Sequence, residues 1–160
     1  MFNYAVIVAS DSRSSGENKD LCIDKIRSML SKSKYECVYE NIVPDEKEVL
    51  KAELIKLSDE MKVNLIITSG GTGLSPRDVT PDATLEVIDK VVPGISMAMA
   101  LASKEKTPMW MLSRAAAGIR KATLIINLPG SPKAVAECLD AVLPGLYHGL
   151  EIINGVVTQH

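Results

Sequence analysis

Residues 68–84 read TSGGTGLSPRDVTPDAT, and the fold turns on how this stretch is entered and left. Ahead of it, Val63 to Ile67 is an apolar run of strand length; behind it an amphipathic pattern begins. The stretch is therefore a strand-to-helix connection, the joint from which parallel α/β sheets are built. Gly70, Gly71 and Gly73 leave the backbone bare, so several N–H groups can reach a phosphate, or the glycines simply make a tight turn. Thr80 suits an N-cap, Pro81 the first helical position, and Asp82 the first turn, where the helix dipole favours a negative charge. Asp78, beside Arg77 and two residues ahead of Thr80, has no such helical duty. Its carboxylate is the one left for chemistry, unless it is a solvated loop acid. Neither common nucleotide fingerprint fits: the terminal lysine of a P-loop is missing, and Pro76 stands where the dinucleotide pattern needs its third glycine.

Working outward, Tyr4 to Ala9 is a nearly continuous apolar run, the mark of a strand covered on both faces. Ser10 to Gly16, SDSRSSG, follows it. Next comes a helix with Cys22, Ile26, Met29 and Leu30 at i, i+4, i+7, i+8 spacing. Tyr35 to Val43 favours β structure, and after Pro44 a second helix carries Leu50, Leu54, Leu57 and Met61 on one stripe. Beyond the glycine stretch, Leu85, Ile88 and Val92 make a helical stripe interrupted at Pro93 and Gly94, and Ile95 to Lys104 resumes as a helix rich in Met and Ala. Met109 to Ser113 is a further strand candidate, with Trp110 in its core. A turn between Arg114 and Lys121 leads to the apolar Thr123 to Leu128. Pro129 to Pro132 ends that strand and opens a helix with Val135, Cys138, Leu139 and Val142 inward; Pro144 and Gly145 break it, and Tyr147 to Ile153 forms a last short helix.

Strands alternating with helices at these lengths predict an α/β fold: a three-layer, doubly wound, mostly parallel sheet with helices on both faces. With 160 residues, 46% of them hydrophobic, the chain suits one domain over 1–160. In such sheets ligands bind outside the carboxyl ends of the strands, where the strand order reverses. The loops after the first and third strands are expected to meet there. A net charge of −2 gives no global attraction to nucleic acid or an anionic membrane, so an anionic ligand must be held by local dipoles and a few placed cations. No apolar run approaches the roughly 18 residues of a membrane span. Cys22, Cys37 and Cys138 are widely spaced and odd in number, which reads as buried thiols of a cytoplasmic protein.

The runs GGTG, Gly70 to Gly73, and RDVTPDAT, Arg77 to Thr84, are similar to the signature of the molybdenum-cofactor biosynthesis proteins of the MogA/MoaB type. The same domain recurs in the plant protein Cnx and in gephyrin. Further matches are Pro44-Asp45-Glu46, the run SRAAAG from Ser113, and LPGSPK from Leu128 to Lys133, in family order and at family-like spacing. The first loop has Asp11, Ser12, Arg13, closer to the MoaB type than to the adenylyltransferase branch, where arginine directly follows the aspartate.

The resemblance implies a molybdopterin adenylyltransferase. The terminal phosphate of molybdopterin attacks the α-phosphate of Mg²⁺-bound ATP, giving adenylylated molybdopterin and pyrophosphate. It also implies two required aspartates, which fall at Asp45 and Asp78 and would hold or orient Mg²⁺. On spacing alone Asp45 fits a capping box with Glu48; the resemblance moves it to the site. Gly70, Gly71, Thr72 and Gly73 would cradle phosphate beside Asp82. Ser10, Asp11 and Arg13 either cap the first helix or contact ligand. Ser113 with Arg114 at a strand end, and Pro129, Gly130, Ser131 and Lys133 in a third loop, complete the expected binding set. With His148 and His160 the only histidines, both near the C-terminus, Ser113 has no partners to make it a nucleophile. Family members are commonly homotrimers, and Ile95 to Ala102 is the candidate contact face; contact with the molybdate-insertion protein is a further expectation. A molybdopterin-binding or scaffold protein without catalysis, and a different phosphate-transfer or hydrolysis enzyme, are the alternatives.

Overall fold

The computed structural model describes residues 1–157; His160 lies outside them. The strands are β1 (Phe2–Ala9), β2 (Tyr35–Val43), β3 (Leu65–Ser69), β4 (Lys90–Val91), β5 (Ala117–Arg120) and β6 (Thr123–Leu128). The α-helices are α1 (Asp11–Ser14, a single turn), α2 (Cys22–Met29), α3 (Lys47–Ile55), α4 (Thr80–Val87), α5 (Pro93–Lys104) and α6 (Pro132–Ile153). One six-stranded sheet runs in the order β2-β1-β3-β6-β5-β4. The first four strands are parallel, and β5 and β4 add an antiparallel edge.

Two-residue alternation in the central strands separates the layers. Tyr4, Val6, Val8, Leu65, Ile67, Leu124 and Ile126 face a core shared with α2, α5 and α6, whereas Ala5, Ile7, Ala9, Ile66 and Ile125 face α3 and α4. Because both faces are covered, β1, β3 and β6 read as near-continuous apolar runs, while β2 at the edge alternates exposed with partly buried positions along most of its length. This is the expected three-layer, mostly parallel arrangement. From β1 the chain moves outward to β2 and then returns past β1 to β3, so the strand order reverses between β1 and β3.

Several local expectations give way to tertiary packing. The last helix does not break at Pro144 but runs through it to Ile153. The lost backbone bond and ring clash cost about 3 kcal/mol, and burial of Leu146 and Leu150 recovers roughly 1.5–3 kcal/mol for each. Met61 leaves the stripe of Leu50, Leu54 and Leu57 because α3 widens into a π turn over Lys56–Glu60, which rotates Met61 outward. In α4 the buried stripe is Thr80, Ala83, Thr84 and Val87, and Leu85 is exposed; two threonines hid the period. Met109 to Ser113 is not a strand. Thr107 Oγ1 accepts from the N–H of Met109, Pro108 follows the cap, and Pro108–Leu112 forms a 3₁₀ turn that leaves Trp110 half-buried with Lys104 Nζ 5.9 Å from its ring centroid. The antiparallel partner of β6 is instead Ala117–Arg120, and the hairpin turns at Lys121 (φ 52) and Ala122. Cys22 and Cys138 are buried thiols as expected, while Cys37 is only half-buried.

At the amino end of the sheet, Arg120 grips Asp59 with two hydrogen bonds of 3.0 and 2.7 Å, and Lys121 Nζ lies 2.9 Å from the same carboxylate. Arg120 and Lys121 hold the Asp59 carboxyl down at about 2, from its ordinary 3.8. A depressed carboxyl contributes stability that is complete above its unfolded value and is lost as pH falls through its folded one. Melting temperature is therefore expected to fall between about pH 4 and about pH 2. In Asp59→Asn thermal melts across this range should lose that part of the pH dependence, with a lower plateau above it.

Candidate functional site at the carboxyl ends of the strands

The loops after β1, β2, β3 and β6 converge at one end of the sheet. Gly70 donates its N–H to Leu128 O at 3.1 Å, and Ser69 Oγ donates to Pro129 O at 2.8 Å, so the glycine loop is fastened to the loop after β6. Arg13 Nη2 reaches from the first loop to Gly130 O at 2.8 Å, and its Nη1 lies 3.5 Å from Asp20. Asp11 and Asp45 join the first and second loops reciprocally: Asp11 N donates to Asp45 Oδ2 at 2.9 Å, and Asp45 N donates to Asp11 Oδ1 at 3.0 Å.

This pairing replaces the capping box that spacing alone allowed. Glu46 is the N-cap of α3 without a side-chain cap bond, because the Asp45 carboxylate has turned to the neighbouring loop. Likewise Val79, not Thr80, is the N-cap of α4. Thr80 is the first helical residue and donates its N–H to Gly71 O at 3.1 Å. Asp82 does occupy the first turn.

The glycine loop itself is left-handed at two successive positions, Gly70 (φ +93) and Gly71 (φ +67). Among the described residues, the N–H groups of Gly71, Thr72 and Gly73 donate to no protein acceptor. Consecutive amides in such a bend form a concave anion site. Asp45 and Asp78 flank it. A Cβ added at Gly71 would stand 3.2 Å from Asp45 Oδ1, and one added at Gly73 would stand 2.8 Å from Asp78 Oδ2. Asp78 Oδ2 also accepts from Ser75 N at 3.0 Å, which shapes the turn.

Two further arginines hold the loops together, and one of them, Arg114, belongs to the expected binding set. Arg114 donates to Gly73 O and Asp78 O, forms a two-point pair with Asp82, and gives its backbone N–H to Thr72 O. Arg77 pairs with Asp11 through Nε and Nη2 and touches Glu46. Sequence reasoning gave Arg77 no role. Ser113 does not end a strand; it follows the 3₁₀ turn, is exposed, and accepts from Ala115 N. Its neighbour's bond to Thr72 O brings it to the glycine loop. Ser131 caps α6 by accepting from Ala134 N, and exposed Lys133 lies in the first turn of that helix.

Asn127 was also missed. Fully buried in β6, it donates from Nδ2 to Thr68 and Thr84 and accepts from Ala116 N at Oδ1, tying β3, α4 and the segment after Arg114 together. The available signal was an asparagine inside the apolar run TLIINL.

The two linked acids titrate in opposite directions. Hydrogen bonds from Arg77 hold Asp11 below the ordinary carboxylate range. Burial pushes Asp45 above it, and the negative charges of Asp11 and Asp78 push the same way. A desolvated carboxylate, a second acid within its field and unpaired amides between them form a place whose chemistry suits a cation and an anion together.

From residue 5 to residue 148 the chain matches the family described as "Probable molybdopterin binding domain". The chain belongs to this family. It is 43% identical over 160 residues to a protein of Helicobacter pylori named molybdopterin adenylyltransferase, covering 98% of this chain and 90% of that one. A protein of the same name from Escherichia coli is 38% identical over 154 residues, covering 94% and 77%. Among solved structures, the molybdopterin biosynthesis enzyme MoaB of Thermus thermophilus superposes with a TM-score of 0.92 at 45% identity, covering 97% of this chain and 98% of that one. The fold and the family expected from the GGTG and RDVTPDAT runs are thus both present.

Proposed function

We propose that this chain is a molybdopterin adenylyltransferase, transferring AMP from ATP to the terminal phosphate of molybdopterin with release of pyrophosphate. The observation that carries the reading is the row of unpaired amides at Gly71, Thr72 and Gly73 between two carboxylates, in a chain whose relatives carry that enzyme's name. Nucleotidyl transfer depends on positioning and charge neutralisation more than on reactive side chains. The site offers that chemistry.

The donor set fits Mg²⁺. A hard cation takes oxygen ligands, commonly one or two carboxylates with substrate phosphates and water, and the raised Asp45 beside Asp78 is a carboxylate whose charge a cation would relieve. Among the described residues no three His, Cys, Asp or Glu side chains come together to hold a metal, so phosphate and water oxygens would complete the shell. Asp45 and Asp78 would hold the ion, which when bound neutralises charge developing on the phosphates. The glycine-loop amides hold and orient phosphate oxygens. Ser113 and Ser131 contact phosphate or pterin, and Lys133, in no ion pair among the described residues, supplies a positive charge at the rim. Arg13, Arg77, Arg114 and Asp82 fix the loops, and Ser10 sets the first turn by accepting from Arg13 N.

The exposed Met97 and Leu101 on α5, with Met99 turned into the core, support a homotrimer using that helix as a contact face. No described helix is long and apolar enough to cross a membrane, and the three cysteines are free thiols; both agree with a cytoplasmic enzyme that hands its product to a molybdate-inserting partner.

Protein mixed with Mg²⁺, ATP and molybdopterin is expected to release pyrophosphate and form adenylylated pterin in equal amounts, only when all three are present. Binding of molybdopterin without pyrophosphate would make the chain a scaffold. Phosphate release without the pterin would make it a hydrolase.

A further inference from the structure

Among the described residues two buried side-chain oxygens have no hydrogen-bond partner, Ser58 Oγ and Thr80 Oγ1. Ser58 lies in the π turn at the far end of the sheet; Thr80, 1% exposed, lies against the glycine loop. A hydroxyl removed from water without a partner is unfavourable, whereas a methyl group in its place is not. Of the two, only Thr80 lies against a loop where a ligand could bring that partner.

The Asp45 carboxylate and the Thr80 hydroxyl lie beside the same glycine. A Cβ on Gly71 would stand 2.4 Å from Thr80 Oγ1 and 3.2 Å from Asp45 Oδ1. The bare Cα of Gly71 therefore lets a hydroxyl that lacks an acceptor and a carboxylate oxygen both pack close to the same backbone position. Asp45 is anchored through its other oxygen, Oδ2, by Asp11 N, and Oδ1 accepts no hydrogen bond among the described residues. Thr80 is itself fixed, since its N–H is bound to Gly71 O.

We infer that Thr80 is a positioning residue for Asp45: its hydroxyl donates to Asp45 Oδ1, directly or through one water, when Mg²⁺ and ATP occupy the loop. The bond sets which lone pairs of the carboxylate face the cation. This rests on the proposed reading, in which Asp45 serves the metal.

Thr80→Val keeps the shape and removes the hydroxyl. Without ligands this variant is expected to melt at or above the temperature of the unsubstituted protein, because an orphan hydroxyl has become a methyl group. The rise in melting temperature on adding Mg²⁺ and ATP should shrink, and the Mg²⁺ concentration for half-maximal pyrophosphate release should increase about tenfold, the scale of one hydrogen bond to a charged group. Thr80→Ser, which restores the hydroxyl, should restore both. Should Val crowd the helix start, Thr80→Ala must give the same weakened Mg²⁺ response. A lower ligand-free melting temperature in both Thr80→Val and Thr80→Ala with unchanged Mg²⁺ dependence would make Thr80 structural and overturn the inference. Asp45→Asn separates the two levels. If it destroys turnover while Thr80→Val leaves the Mg²⁺ response untouched, only the Thr80 link falls; if Asp45→Asn is itself without effect, the metal role of Asp45 falls and takes the link with it.

Discussion

Asp45→Asn is expected to lower pyrophosphate release about 10²- to 10³-fold, the scale of removing one preorganised electrostatic group from an active site, while the ligand-free protein melts at the same temperature or higher. The second half follows from the direction of its titration. Burial raises the Asp45 carboxyl above its ordinary 3.8, and the charges of Asp11 and Asp78 add to the effect. A folded state that binds the proton more tightly than the unfolded chain loses stability as pH rises through that window. At neutral pH the fold therefore carries the cost of a desolvated charge, and a neutral amide relieves it. Asparagine also keeps the oxygen that accepts from Asp11 N. Asp78→Asn should share the loss of turnover with the fold intact, since its amide oxygen can still accept from Ser75 N. Paired assays and thermal melts check both variants. A clear drop in melting temperature with turnover preserved would reduce Asp45 to a bracket between loops.

What could be read in advance divides along the range of the interactions concerned. The apolar runs that became β1, β3 and β6 are legible because a strand covered on both faces needs apolar residues at most positions on both. The glycine loop is legible because its conformation forbids side chains, and Asp82 because the first turn of a helix prescribes its own acid. Each is a local requirement written at one place in the chain. Arg77 and Arg114 show the opposite case. In the sequence Arg114 reads as a ligand-binding residue and Arg77 as one without a role, and only the fold reveals that Asp82 and Asp11, 32 and 66 positions away, have claimed them. Pro144 misled because local propensity says break while burial of the residues beyond it says continue. Thr80 misled because capping chemistry fits its side chain, yet the cap falls one residue earlier and leaves the hydroxyl without a partner. The antiparallel edge was hidden by brevity, since β4 is a two-residue strand with no period to detect.

The three glycines of the loop look alike in the sequence and differ in consequence, and Gly70→Ala is expected to be the most destabilising of their substitutions. Gly70 sits at φ +93, and a Cβ there would lie 2.4 Å from Ala9 O. That obstacle is backbone at the end of β1, so no side-chain rotation relieves it. Gly70 N is meanwhile bound to Leu128 O, so the residue is held between two strand ends. The left-handed conformation alone costs about 1–2 kcal/mol for a residue with a side chain. Displacing a central strand end takes the total past about 4 kcal/mol, into the range reached only when packing itself is broken. Gly16 supplies the control: its φ of +83 is equally left-handed, but nothing lies within 4 Å of an added Cβ. Gly16→Ala should thus cost only the conformational part. In urea unfolding the two variants should differ by about 2–3 kcal/mol, and in melts by roughly 5–10 °C for a domain of this size. Gly70→Ala should also lose turnover, because moving Gly70 moves the amides of Gly71 to Gly73 that follow it. If the two alanine variants prove equally stable, Ala9 O yields to the new side chain, and the close junction of β1 with the glycine loop does not set the geometry of the site.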